Sequence, residues 1–304
     1  MSLHTLFKSL IVVALLLLGA CADWLTGLGR MKVSVQDAPV DRATQVVVQF
    51  RGIELNGPTD ATYYFCQGGG TSTSPCASPA PKVVDLLQLR TSAQELLSVS
   101  GLRTGGYQWL RLLVDAQSGA RDSYIVIDGN EYELEIPSGA ESGLKINRGF
   151  EVTSGDETAL IVDFDLRKSV HAPQNPSTSY VLRPTLRSVD ANNVGIIEGA
   201  VDSARIVSGC VGAVYAYGPG DAFAAVIPDD IDGDSGDPLT SAPVTLDAST
   251  GQYRYRIALL EPGGYQIAFT CDAGRDDAGT DDSVTYPATA IVRVSANTTI
   301  THNF

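Results

Sequence analysis

From Glu131 to Ile136 the chain alternates without a break: Glu131, Glu133 and Glu135 are interleaved with Tyr132, Leu134 and Ile136. A period of two puts three carboxylates on one face of an extended strand and three apolar side chains on the other, a division that a helix of 3.6 residues per turn cannot make. Such a strand needs its apolar face covered, so a second layer must lie against it. Short segments of the same kind recur at 32–36, 44–55, 107–114, 123–127, 160–166 and 180–189, punctuated by Gly, Pro, Asp and Ser. That spacing predicts a β-sandwich. Residues 83–102 admit two readings: a weak helix with Leu86, Leu89, Leu96 and Leu97 on one face, or two short β segments.

After Ala191-Asn192-Asn193 the pattern restarts at Gly195-Ile196-Ile197. Tyr253, Tyr255 and Ile257, then Tyr265, Ile267, Phe269 and Cys271, keep period-two phase on either side of Glu261-Pro262-Gly263-Gly264. This predicts a hairpin with one face on a core. At 304 residues and 44% hydrophobic content the chain has material for two cores. The expected fold class is all-β, with two β-sandwich domains at 31–190 and 194–304.

Ahead of the first strand, a leader carrying Lys8 precedes nine consecutive apolar residues, Leu10 to Leu18. The run is about half of the ~20 residues a membrane-spanning helix needs, which makes it a secretory signal peptide. Leu18-Gly19-Ala20-Cys21 resembles the lipobox of bacterial lipoproteins. The resemblance implies acylation of Cys21 and cleavage just before it, leaving 1–20 as the removed signal peptide and 21–30 as an acylated tether. One acyl chain binds a bilayer only marginally, at on the order of 10⁴ M⁻¹, so the several chains of a lipoprotein make the anchor permanent. Ala22, not Asp, follows Cys21, which by the same resemblance implies the outer membrane, facing the periplasm or the cell surface. The membrane is then the first partner.

The formal charge is −14, from 21 basic and 35 acidic residues, which excludes nucleic acid as a partner because phosphate backbones are held by clustered Lys and Arg. Residues 191–304 carry most of the imbalance, with 15 acids against five Arg and no Lys. An exported destination favours disulfides among Cys66, Cys76, Cys210 and Cys271. Four cysteines allow three connectivities, and separate domains favour Cys66 with Cys76 and Cys210 with Cys271 as structural bridges.

Two resemblances to families follow. Asp37-Ala38-Pro39-Val40-Asp41, Ile53-Glu54-Leu55, Gly106-Tyr107 before a strand with Arg111, Pro137-Ser138-Gly139 with Ser142-Gly143-Leu144-Lys145, Asp163-Phe164-Asp165 with Ser169, and Leu182-Arg183-Pro184 occur in order. Together they resemble a bacterial lipoprotein domain of unknown function, the DUF4382 family, over about residues 31–190. This implies an Ig-like sandwich and an envelope location, and no chemistry. The 56–80 loop, with its Cys pair and Gly68-Gly69-Gly70, is longer than the family pattern needs. The second half is similar to the carboxypeptidase-regulatory-like, prealbumin-like β-sandwich, through Gly195 to Val201, Gly251-Gln252-Tyr253 and Leu260-Glu261-Pro262-Gly263-Gly264-Tyr265. Such domains share their fold with starch-binding modules, which brings in carbohydrate binding as an implied activity.

No Gly-x-Ser-x-Gly elbow, phosphate-binding Gly-Lys-Ser/Thr loop or His-Glu-x-x-His occurs, and His171 and His302 are the only histidines after cleavage. Carboxylates are the remaining acid/base groups. Asp163 and Asp165, with Lys145 and Asp37, form either a polar site or a salt-bridged sheet end, and the second reading is preferred. His171, among Pro173, Asn175 and Pro176, reads as a loop residue. Tyr107, Trp109, Tyr215 and Tyr217 are core or sheet-face packing in preference to a sugar-stacking platform.

The acidic run 229–237 offers Asp230, Asp232, Asp234 and Asp237 as oxygen ligands around Gly233 and Gly236, the chemistry that calcium requires. The EF-hand register fails, since counting from Asp230 puts Ser235 at the glycine position and Ser241 at the glutamate position. A second acidic stretch, Asp272, Asp276, Asp277, Asp281 and Asp282, is placed to converge on the first. A solvated acidic loop is the preferred reading, with calcium the alternative. The expectation is a non-enzymatic, acyl-anchored envelope lipoprotein without a cofactor, acting as an adhesion, scaffold or binding module on an envelope protein or glycan. A carbohydrate-binding lipoprotein, calcium-assisted, is the alternative, and an enzyme using carboxylates the third reading.

Overall fold

The computed structural model describes residues 27–38, 43–89, 92–117, 119–137, 139–172, 179–220 and 228–304. The leader, Cys21 and most of the tether lie outside the described residues, as do Pro173, Asn175 and Pro176. No helix among the described residues is long and apolar enough to cross a membrane. The fold is all-β, with several sheets.

In the first half, a four-stranded sheet runs in the order Leu186–Asp190, Glu157–Asp165, Leu28–Ala38 and Gln94–Arg103. Leu28–Ala38 pairs in parallel with Glu157–Asp165, bringing Val33 beside Leu160 and Val35 beside Val162. A larger sheet is built around the 14-residue strand Ala43–Asn56, which pairs at one end with Tyr124–Ile127 and at the other with Trp109–Asp115. The inward residues of both sheets, among them Met31, Val35, Ile53, Leu55, Leu112 and Phe164, form one core. The alternating strand that predicts the architecture forms as Asn130–Glu135, with Leu134 buried.

Residues 83–102 resolve as β structure around a single turn: Lys82–Asp85, a 3₁₀ turn Leu86–Leu89, and Gln94–Arg103. The helical spacing of its leucines has a local cause. The register against Leu28–Ala38 shifts between Val33 and Ser34, and this bulge buries the adjacent Leu96 and Leu97 together.

In the second half, Thr245–Asp247, Gln252–Leu260, Gly195–Val201 and Thr299–Thr301 form one four-stranded sheet, and Thr240–Pro243, Ala213–Gly220, Gly263–Thr270 and Ala288–Val294 form another. Ile197, Tyr255, Ile257, Ile267 and Phe269 fill the space between them. The expected hairpin is corrected here. Gln252–Leu260 and Gly263–Thr270 do not pair with each other but lie in the two opposed sheets, so the turn at Glu261 carries the chain across the core. Leu259, at a φ of 57°, breaks the extended backbone just before the turn. Both strands are apolar toward the same core because they face each other across it, a relation that period-two phase does not distinguish from side-by-side pairing.

The bridges Cys66–Cys76 and Cys210–Cys271 are formed, with Cα separations of 5.7 and 4.6 Å. No sheet among the described residues joins strands from both halves.

Candidate functional site

Glu157–Asp165 runs directly into a one-turn helix, Leu166–Ser169. The Asp165 carboxylate caps it by accepting from the Lys168 N–H at 3.2 Å, and Ser169 Oγ accepts from the Thr185 N–H at 2.9 Å. The turn presents Arg167 and Lys168, the only two adjacent basic residues in the chain, to the second half. Arg167 Nη1 donates to the Ala273 carbonyl at 2.9 Å, and its guanidinium lies 5.8 Å from the centre of the Tyr215 ring. Lys168 Nζ meets Asp237 Oδ2 at 3.2 Å, both side chains being almost buried. One strand away, Arg187 Nε donates to Asp163 Oδ2 at 2.8 Å, while its Nη1 reaches the Leu259 carbonyl at 2.7 Å. Arg148 pairs with Glu261 at the exposed rim.

These contacts assign the acidic loops. The two stretches converge: Ile231 N–H donates to Asp276 Oδ1 at 3.0 Å, and Asp282 N–H donates to Asp230 Oδ2. Tyr215 Oη donates to the Asp276 carboxylate, while Tyr217 and Tyr286 both donate to the Asp229 carbonyl. The expected calcium set is divided between two groups. Asp230 joins Asp276 and Asp282, whereas Asp232, Asp234 and Asp237 form a second group, with potential ligand atoms in each lying within 4.8 Å of one another. The spacing suits a divalent cation, but these oxygens already serve the loop. Asp237 Oδ1 accepts from the N–H groups of Asp232 and Gly233, and Asp282 Oδ2 accepts from Asp277 N–H. The reading of a solvated acidic loop holds in part: Asp234, Asp277 and Asp281 are exposed, but Asp230 is 3% exposed and Asp237 packs on the basic turn of the first half.

Burial sets the electrostatics of the junction. It raises the carboxyl of Asp163 against the opposing pull of Arg187, and it pushes that of Asp165 up to about 6 despite Lys168. Asp276 is raised by burial too, with the Tyr215 hydroxyl and Ile231 N–H working the other way.

Of the polar set expected around Asp163, Asp37 lies close by. Both, with Gln36, Thr240 and Arg254, line a cavity of about 290 Å³ between the halves. Lys145 does not join them; it stands in the other sheet with its ammonium 4.6 Å from the Trp109 ring centre. His171 is not a loop residue but ends the short strand Val170–His171, half-buried near Gly279, and burial lowers its imidazole pKa. Tyr107, Tyr215 and Tyr217 are buried, which leaves Trp109 as the one half-exposed member of the aromatic set. Sequence reasoning passed over Arg167, Lys168 and Arg187. The adjacent Arg167-Lys168 pair directly after an apolar strand was the available signal.

The profile of the family described as "Domain of unknown function (DUF4382)" matches residues 28–184, just over half of the chain. No curated protein matches. Among solved structures, the Bacillus anthracis TIE protein aligns at 11% identity and a TM-score of 0.20, over 91% of this chain and 34% of its own length. A putative cell adhesion protein from Bacteroides fragilis aligns at 10% identity and a TM-score of 0.21, over 90% of this chain and 92% of its own. BcpA, the major pilin subunit of Bacillus cereus, aligns at 12% identity and a TM-score of 0.20, over 91% and 98%. The chain thus spans about a third of the Bacillus anthracis protein, and these TM-scores are too low to speak to function.

Proposed function

This chain belongs to the DUF4382 family, a domain of unknown function, and from that premise we propose that it is a non-enzymatic envelope lipoprotein acting as a binding or scaffold module. In this reading Cys21 carries the acyl anchor at the outer membrane, residues 31–190 form the family's sandwich, and 194–304 form a carboxypeptidase-regulatory-like sandwich docked on it. The observation that supports a non-catalytic role is how the buried carboxylates are used. Asp163 is held by Arg187, Asp165 caps a helix, and Asp237 meets Lys168 across the junction, so these three acids are engaged with protein groups. A general acid or base has to reach substrate within hydrogen-bond distance, and these groups reach protein.

The anchor is tested by growing cells with an alkyne-tagged palmitate and comparing the wild type with Cys21→Ser. Label and membrane fractionation are expected in the first and neither in the second; label retained by the variant would remove Cys21 as the attachment point. The module role is tested by crosslinking in intact cells, where a reproducible envelope partner is expected. Turnover abolished by Asp163→Asn with the fold intact would overturn the non-enzymatic reading.

A further inference from the structure

On the open face of the first half's larger sheet, four neighbouring strands bring a charged row into register. Across Ala61–Phe65, Ala43–Asn56, Trp109–Asp115 and Leu144–Ile146 the paired positions are Thr62, Glu54, Arg111 and Lys145. Ile53, Leu55, Leu110, Leu112, Leu144 and Ile146 enter the core, so alternation turns Glu54, Arg111 and Lys145 to the other face. Beside the row lies a groove of about 500 Å³, lined by Glu54, Arg111 and Leu113 from the sheet and by Tyr64, Pro75 and Pro79 along its side. Its size is that of a small-ligand cleft. The Cys66–Cys76 bridge and the pairing of Cys66 with Pro79 hold the long loop as its wall.

Charge on these four strands departs from the rest of the molecule. Against a total of −14, their open face presents Arg51, Arg111 and Lys145 beside Glu54 and Asp115, while Glu131, Glu133 and Glu135 stand farther along the same sheet. Arg111 Nη1 is 2.6 Å from Glu54 Oε2, and its guanidinium lies 4.8 Å from the Trp109 ring centre. The exposed Lys145 ammonium lies 4.6 Å from the same ring. An indole attracts a cation without supplying a countercharge, so Trp109 holds both side chains in place and leaves the row with an excess positive charge.

We propose that this groove binds an acidic saccharide, its carboxylate held by Arg111 and Lys145. The guanidinium matches a carboxylate in shape, Glu54 and Thr62 accept from sugar hydroxyls, and Tyr64 with the prolines offers an apolar wall to the ring C–H groups. Trp109 is a positioning residue. The inference rests on the reading of the chain as a binding module and names its ligand class.

The full chain in detergent micelles is titrated with tetragalacturonate, with maltotetraose and inorganic phosphate as parallel titrants, and followed by calorimetry and tryptophan emission. Saturable binding of tetragalacturonate alone is expected, with an emission change that Trp109→Phe abolishes. Lys145→Gln, at an exposed position, should weaken binding about tenfold with an unchanged melting temperature, the fold-change of one lost charge-assisted contact. Arg111→Gln should weaken it further. Equal binding of maltotetraose would overturn the acidic class, and phosphate binding that Lys145→Gln removes would reduce the groove to a plain anion site. No saturable binding at all would overturn the inference, while a crosslinked envelope partner would then still uphold the module.

Discussion

Asp165 combines two demands on one side chain: its carboxylate caps a helix while standing 5% exposed at the junction. Burial raises its pKa from 3.8 to about 6, so the folded state binds a proton that the unfolded state releases. The stabilisation that this proton brings is complete below about pH 4 and is lost as the pH rises through about 6. Asp165→Asn keeps an oxygen for the cap and has no charge to bury. It should match the wild type near pH 4 and exceed it at pH 8 by roughly 2 kcal/mol, given ~1.4 kcal/mol per pKa unit. Denaturant melts at the two pH values check this, and a variant less stable at pH 8 would show that the Lys168 contact outweighs burial. Arg187 is the opposite case. Truncating it to Met strands Asp163, 4% exposed, without its cation, and should cost about 3 kcal/mol at neutral pH. The same melts read that loss, which should shrink at pH values low enough to protonate Asp163.

At the scale of elements, the strands were legible and their partners were not. Glu131 to Ile136 and Gly195 to Val201 announce themselves by alternation because burial on one face acts on every second residue. Which strand lies beside which is set by contacts distant in sequence, such as Val35 with Val162, and no local pattern records those. The turn at Glu261 shows the limit, since two strands facing across a core and two lying side by side write the same periodicity. The cysteines read well, because both bridges close within one half, 10 residues apart in the first and 61 in the second. The 56–80 loop is long in the sequence, and the structure supplies the reason in the wall that it forms beside Arg111. Cys66→Ser with Cys76→Ser should therefore lower stability by roughly 2 to 3 kcal/mol on the loop-entropy account. The double variant should also weaken tetragalacturonate binding, with both losses measured on one preparation; unchanged binding would separate the bridge from the groove.

For the whole molecule, charge is the property that joins what the sheets leave separate. The second half carries an excess of ten acids over bases, and its acidic loops fold onto Arg167 and Lys168 of the first. From the sequence the acids looked like a solvent-facing cluster, because the two cations that meet them lie on one helical turn more than sixty residues upstream. Buried contacts of this kind resist screening, whereas the exposed Arg148–Glu261 pair at the rim does not. The two halves should accordingly unfold in one calorimetric transition, with a van't Hoff enthalpy equal to the calorimetric one, and 0.5 M salt should not split it. Replacing Arg167 and Lys168 together by Gln removes the cations but leaves both cores whole. The double variant should then melt in two steps, the second half first, since it loses the partner of Asp237 and the cover of Tyr215. A wild type that already melts in two steps would mean that the junction contacts do not couple the halves. A double variant that still melts in one would place the coupling in Arg187 and the Leu259 carbonyl instead.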